Sequence, residues 1–306
     1  MPKLIYLVGI PGSGKSYYAK TLLKRCPEED NPFPSGIYLS SDELRKEFYG
    51  DENCQDNPGF IFDQMLKRTI FALKNGQNVI YDATNVGRKN RINFLKSIPA
   101  NIECTKECHI VWATIETCIK RDSDRERSVG EKVIWKMIKR FQTPWYDEGW
   151  NEIYIITNGD ETEHYTHRNF ELDIPHDNPH HLNTIEEHTY NVLKEVEKLE
   201  SCLNEYDYNC LQQVALWHDV GKIYTKSFKN NKGEVTEIAH YYDHQNVSAY
   251  LYLGRVNLPE EIKLRISYLI NMHMEPFFNE SKYFKNMDPE LKKLVLLFNA
   301  CDKRGA

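Results

Sequence analysis

Long hydrophobic runs are missing from this chain. No stretch approaches the roughly 18 to 20 uncharged apolar residues that a membrane span requires, and no signal-peptide pattern stands at the N-terminus, so a cytoplasmic location without a membrane partner is expected. Cysteine is sparse. Eight thiols are scattered over 306 residues, and the nearest pair, Cys104 and Cys108, has no second pair to complete a zinc site, which excludes a disulfide scaffold and predicts reduced thiols. Glycine (15) and proline (13) are too few for a collagenous or low-complexity chain. An excess of basic charge is also lacking: residues 1–160 carry 23 Lys+Arg against 22 Asp+Glu, and residues 161–306 carry 16 against 23. Broad non-specific nucleic-acid binding is therefore excluded for the second half, and any polynucleotide contact must be local. What is present, 41% hydrophobic and 27% charged residues, is ordinary globular material in a chain longer than one core usually organises.

The first half alternates short apolar runs with helix-period segments, the pattern of a parallel sheet covered by helices. Strands are expected at 4–8, 37–40, 78–82, 109–113 and 153–157, with helices at 15–25, 42–49, 60–74, 88–97, 115–122 and 131–141. Residues 158–184 are polar and rich in turn formers, and everything beyond them reads as helix and loop with no convincing strand. The expected organisation is an α/β P-loop domain over residues 1–165 followed by an all-α domain over 166–306.

Gly9-Ile-Pro-Gly12-Ser13-Gly14-Lys15-Ser16 fits G-x-x-x-x-G-K-[ST] between an apolar strand and a helix. Its backbone N–H groups and Lys15 would cradle the phosphates of ATP or another NTP, and the Ser16 hydroxyl would ligate Mg2+. Asp42 follows the second strand at the carboxyl edge of the sheet, where a general base for an acceptor hydroxyl belongs. Asp82 and Asn85 end the third strand at the same edge, Asp82 supporting Mg2+ through water, and Arg88 follows. The run Arg121-Asp-Ser-Asp-Arg125-Glu-Arg127 has the character of a lid over phosphates. These segments, in order, resemble the 5'-end kinase domain of bacteriophage polynucleotide kinase. The resemblance implies that Asp42 is the base for a polynucleotide 5'-OH, that Arg45 contacts acceptor phosphate, and that Arg121 and Arg125 close over ATP; Asn85 and Arg88, at the same edge, are expected on the substrate side. Two departures bear on the acceptor: Ser41-Asp42-Glu43 stands where the phage enzyme has two adjacent aspartates, and the lid is acidic.

In the second half, polar residues interrupt apolar helical stripes: His188 beside Ile185, Val192 and Val196; His218-Asp219 after Leu211 and Val214; His244 before Val247 and Leu251; His273 after Ile266 and Ile270; Asp302 after Val295 and Phe298. All are expected to point inward, and burying four imidazoles with two carboxylates is costly unless divalent metal satisfies them together. Mixed imidazole and carboxylate donors suit Mn, Fe, Co, Ni or Zn, and two such ions would support hydrolysis of a phosphate ester. His, then His-Asp, then Asp is the pattern of the HD phosphohydrolase superfamily, which residues 176–302 resemble. The resemblance implies His188, His218, Asp219 and Asp302 as core ligands, His244 and His273 as those of a second metal, and Lys222 near the substrate phosphate. His240 competes with His244 as ligand, and His176, His180 and His181 are either phosphate contacts or solvated linker.

The two resemblances together imply a bifunctional end-healing enzyme: a kinase for RNA (or DNA) 5'-OH ends and a phosphatase for 2',3'-cyclic, 2' or 3' phosphates, serving a separate RNA ligase. The rivals are a nucleoside or small-molecule kinase fused to a nucleotidase, and an ATP-gated regulatory protein with a structural HD site.

Overall fold

The computed structural model describes residues 1–24, 36–157, 165–179, 183–277 and 282–306. The described residues form two compact units: Met1–Ile134 with Pro144–Glu163, and Trp135–Thr143 with His164–Ala306. Among them, no helix is long and apolar enough to cross a membrane.

The first unit is built on five strands, β1 (Lys3–Val8), β2 (Ile37–Ser40), β3 (Val79–Asp82), β4 (Thr105–Trp112) and β5 (Glu152–Thr157). They pair in the order β2-β3-β1-β4-β5, every pair parallel. Between them run α1 (Lys15–Lys24), α2 (Ser41–Tyr49), α3 (Pro58–Lys74), α4 (Arg88–Ser97) and α5 (Ile115–Ser123), and α6 (Glu131–Ile138) begins in this unit and passes into the second after Ile134. Central β1 and β3 are buried almost throughout, as expected of apolar runs in a sheet covered on both faces. Each crossover returns the chain to the same edge, so the residues following β1, β2 and β3 gather at the carboxyl ends of the strands. β4 begins four residues earlier than the sequence suggests, because its polar start is paired: Lys3 on β1 forms a 2.8 Å ion pair with buried Glu107.

The second unit contains α7 (Ile185–Glu197), α8 (Glu205–Trp217), α9 (Lys222–Thr225), α10 (His244–Tyr252), α11 (Glu260–Met272), α12 (Lys282–Lys285) and α13 (Pro289–Gly305). Thr184 and Glu187 close a reciprocal capping box on α7, and Asp288 with Pro289 starts α13. α10 is buried along nearly its whole length, so it is the central helix of this unit. The unit is not all helical. An antiparallel hairpin of β6 (Ser227–Lys229) and β7 (Val235–His240) lies between α9 and α10. It escapes the sequence pattern because β6 is three residues long and both strands are mostly exposed, which removes the apolar alternation that marks a half-buried strand. The expected boundary near residue 165 also puts Trp135–Thr143 with the sheet, whereas this segment packs in the helical unit: Asn271 Oδ1 accepts from the Thr143 amide at 2.6 Å, and Asn246 Nδ2 donates to the Lys139 carbonyl at 2.7 Å.

Candidate active sites

β1 runs directly into the Gly9–Ser16 loop, and steric space dictates its glycines. A Cβ on Gly9 would stand 2.6 Å from the Val111 carbonyl oxygen. On Gly12, where φ is +80°, it would stand 2.2 Å from that of Cys118. The loop wraps Ser13, whose buried hydroxyl has no hydrogen-bond partner among the described residues. An orphaned donor, a helix N-terminus and a lysine converging on one cradle fit a phosphate chain. Lys15 Nζ meanwhile donates to the Ile10 carbonyl at 2.9 Å. Burial pulls its ammonium below the usual range, with Asp82 opposing. Ser16 Oγ donates to Asp82 Oδ2 at 2.8 Å, and the Tyr38 hydroxyl donates to the same oxygen at 2.6 Å. Hydroxyl and carboxylate oxygens side by side are hard donors that suit Mg2+. Tyr38 was invisible in the sequence, one aromatic in an apolar strand.

Asp42 sits in the first turn of α2, half exposed, after Ser40 caps the helix. Arg45 Nη1 donates to Asp42 Oδ1 at 2.8 Å, and Arg127 Nη1 lies 3.4 Å from Oδ2. Arg121 lies half-buried at the end of α5, and Arg125 is exposed just beyond it. The acidity of the lid has a structural reason. Asp122 is only 1% exposed and accepts from Ser128 Oγ at 2.7 Å, Gly130 N at 2.9 Å and Val129 N at 3.2 Å. Burial pushes its carboxyl up, but these donors outweigh burial and hold it below its ordinary value. Asp122 thus shapes the loop that carries the arginines.

Two expected substrate contacts belong instead to the fold. Asn85, in the left-handed region at φ 54°, donates through Nδ2 to the Leu7 carbonyl at 2.7 Å and accepts from the Tyr6 hydroxyl at 3.0 Å. Arg88 is 4% exposed and donates to Asp147 Oδ2 at 2.6 Å, beside the fully buried pair of Arg91 and Glu148. Residues some sixty positions away occupy the guanidinium, so the local pattern of basic residues after β3 misleads.

The second unit gathers all six expected ligands, each buried. His188 comes from α7, His218 caps α8 with Asp219 after it, His244 opens α10, His273 caps α11 and Asp302 lies on α13. They form two groups, His188 with His218 and Asp302, and Asp219 with His244 and His273, the ligand atoms of each within 4.8 Å of one another. Asp219 joins them: Oδ2 lies 3.4 Å from Nε2 of both His188 and His218, and Oδ1 lies 3.3 Å from His244 Nε2. His188 Nε2 is 3.1 Å from Asp302 Oδ1.

Every one of the four imidazoles places Nδ1 against a backbone carbonyl: Gly305 for His188 at 3.2 Å, Ala215 for His218 at 2.8 Å, Tyr241 for His244 at 2.8 Å and Ile270 for His273 at 2.7 Å. Donation from Nδ1 directs each Nε2 inward as an acceptor. Yet Nε2 of His188 faces that of His218 at 3.3 Å, and Nε2 of His244 faces that of His273 at 3.3 Å. Two inward lone pairs at that distance repel unless a cation stands near them, and imidazole nitrogens with carboxylate oxygens match a transition metal. Burial, with His244 and His218 beside it, lowers His273 to about 3. Burial pushes the Asp302 carboxyl up, but the His188 hydrogen bond and His218 bring it down to about 2. Burial likewise raises the Asp219 carboxyl, but His218 and Lys222 hold it well below its ordinary range.

Lys222 Nζ forms a 2.6 Å ion pair with Asp219 Oδ2 and lies 3.2 Å from His176 Nε2. His240 is on β7, outside the cluster, with Nε2 at 3.1 Å from Thr236 Oγ1 and Nδ1 at 3.3 Å from the Tyr242 hydroxyl. His180 and His181 lie outside the described residues. Gly221 has no signal beyond its place after His-Asp-Val, but a Cβ there would lie 2.2 Å from the His244 carbonyl oxygen, so its absence lets α9 approach α10.

Residues 4–144 match the sequence family described as an AAA domain. With the sheet order and the phosphate loop, this defines the first unit as a P-loop kinase-like domain, an α/β fold on a parallel sheet. The chain is 29% identical over 154 residues to the L-seryl-tRNA(Sec) kinase of Methanococcus maripaludis, covering 48% of this chain and 56% of that protein, and so spans about half the length of this relative. Among solved structures it is similar to a chain of the Pnkp1/Rnl/Hen1 RNA repair complex, at 25% identity and a TM-score of 0.38, over 45% of this chain and 43% of that one. A gluconokinase from Sinorhizobium meliloti is similar at 14% identity and a TM-score of 0.35, over 51% of this chain and 82% of that one.

Proposed function

We propose that this protein heals broken RNA ends. The first unit transfers the γ-phosphoryl of ATP to a 5'-OH, and the second, an HD-type phosphohydrolase, removes a 2',3'-cyclic, 2' or 3' phosphate so that a separate ligase can seal the strand. The observation that carries the reading is the buried constellation around Asp219: four imidazoles aimed inward, two carboxylates and a lysine. On the kinase side, Asp42 is the group that takes the proton of the attacking hydroxyl at the carboxyl edge of the sheet, while Lys15, Arg121 and Arg125 neutralise phosphate charge. Arg45 orients Asp42 through its 2.8 Å bond and is the nearest candidate for acceptor phosphate. The likeness to a kinase named for seryl-tRNA supports an acceptor hydroxyl carried on RNA.

His188, His218 and Asp302 would hold one metal and Asp219, His244 and His273 the other, and such a pair supplies a hydroxide nucleophile with charge stabilisation for the ester. Lys222 binds the phosphoryl group beside Asp219, while burial of the cluster excludes bulk water. The test is mass spectrometry of a short RNA bearing a 5'-OH and a 2',3'-cyclic phosphate after incubation with ATP, Mg2+ and each of Mn2+, Co2+ and Ni2+. Gain of a 5' phosphate with opening or loss of the cyclic phosphate is the expected result. If neither end changes, the polynucleotide reading falls and nucleosides with nucleotides become the substrates to try.

A further inference from the structure

His176 precedes the helical bundle in a segment rich in proline and histidine, with no stripe or motif spacing to mark it. The fold nevertheless buries it at 1% exposure. Its Nδ1 lies 2.8 Å from the Asn183 carbonyl oxygen, which only an N–H can satisfy, so Nε2 carries the lone pair. That lone pair meets Lys222 Nζ at 3.2 Å. The Tyr241 hydroxyl donates to the His176 backbone carbonyl, and Lys222 Nζ lies 5.4 Å from the centroid of the Tyr241 ring. The His176 ring also stands edge-on to His188, with centroids 5.6 Å apart.

A lysine ammonium on a flexible stem needs such walls. Asp219 Oδ2 pairs with it at 2.6 Å, and with no second acceptor its remaining N–H groups would have no fixed direction toward an incoming anion. An acceptor on the opposite side fixes the direction of the ammonium at the cost of one of its three N–H groups.

We propose that His176 is a positioning residue of the phosphohydrolase site: as a second acceptor for the Lys222 ammonium already paired with Asp219, its Nε2 fixes the direction of that ammonium and leaves one N–H for the phosphoryl oxygen of the substrate. This rests on the phosphohydrolase reading of the second unit. His176 touches neither metal nor phosphate in this role, and acts only through Lys222.

The test is a double-mutant cycle in the full-length protein, with bis(p-nitrophenyl) phosphate and p-nitrophenyl phosphate as substrates and Mn2+, Co2+ or Ni2+ as metal. His176→Leu is expected to lower kcat/KM about 10- to 100-fold, the usual cost of losing an orienting partner. Metal stoichiometry by elemental analysis should stay that of the wild type. His176→Gln, whose side-chain amide can donate to Asn183 and still offer an oxygen to Lys222, should recover most of the loss. In a Lys222→Ala background, His176→Leu should cost less than 2-fold further, because nothing remains for it to position. Additive losses, or failure of the glutamine variant in a folded, metal-loaded protein, would overturn the assignment and leave His176 a packing residue. If the wild-type protein hydrolyses neither ester with any metal, the phosphohydrolase reading itself falls and takes this inference with it. Hydrolysis by the wild type with no change in His176→Leu defeats this inference alone.

Discussion

Adding divalent transition metal should raise the melting temperature of the helical unit, and the size of the effect can be worked from the site. Two facing pairs of Nε2 atoms, each 3.3 Å apart with the opposite ring nitrogen committed to a carbonyl, leave inward lone pairs that only a proton or a metal can relieve. Burial disfavours the charged form of His218, but Asp219 and Asp302 outweigh it and raise its proton affinity, so a proton competes with metal at that pair. At free metal near 100 times the dissociation constant, one site stabilises by about 2.7 kcal/mol and two by roughly 5 kcal/mol. The second unit has about 150 residues, counting the segment from Trp135 to Thr143. At about 2 to 4 °C per kcal/mol, the expected shift is roughly 10 to 20 °C. Scanning calorimetry of protein treated with EDTA, with and without Mn2+, Co2+, Ni2+ or Zn2+, reads it directly. Because metal must displace the His218 proton, the shift should shrink as pH falls through the raised His218 value and grow as pH rises above it. The reasoning is refuted if no metal moves either transition, or if Asp219→Ala shows the same shift as the wild type.

The two chemistries should separate cleanly by mutation. Asp42→Ala is expected to abolish 5' phosphorylation while leaving end-phosphate hydrolysis intact, and Asp219→Ala to do the reverse, both read on one doubly labelled RNA. Arg88→Met, in contrast, should cost about 1.5 to 3 kcal/mol of stability by removing the charged hydrogen bond to Asp147 and the second cation near buried Glu148. Urea unfolding would measure this, and the KM for acceptor in the surviving folded protein should be unchanged. Asp122→Asn should loosen the lid by about 1 to 2 kcal/mol, seen as faster amide exchange at Val129 and Gly130 and a raised KM for ATP. The carboxylate is depressed in the fold, so its contribution is complete above the unfolded value near ~3.9 and is lost only as pH falls through the lower folded value. Lid protection should accordingly be level from pH 5 to 8.

The parallel sheet was legible because strands buried on both faces are plain apolar runs, and the phosphate loop because its glycines are forced by carbonyls at 2.2 to 2.6 Å from where a side chain would start. The burial and convergence of the six histidine and aspartate side chains were legible for a related reason. A histidine or aspartate breaking an apolar helical stripe must be buried, and burial of that many donors is too costly to be accidental. What escaped was non-local. Nothing around Arg88 announces that Asp147 and Glu148 fold back to claim it, and nothing around Asn85 shows that Tyr6 and Leu7 consume its amide. His176 lies in a polar linker without periodicity, and the β6–β7 hairpin exposes most of both strands, so each lacked the one signal that pattern analysis uses.

The segment Trp135–Thr143 gives the chain an unusual bookkeeping of ends. Polypeptide leaves the sheet unit at Ile134, supplies nine residues to the helical unit, returns at Pro144 to complete β5, and leaves again. No single cut can therefore yield two complete halves. A fragment beginning after β5 would lack the backbone groups that Asn246 and Asn271 bind, leaving buried amides open on α10 and α11, the helices that deliver His244 and His273. Isolating the helical unit would require supplying that peptide in trans or grafting it, and a gene split at the apparent linker would leave that unit incomplete.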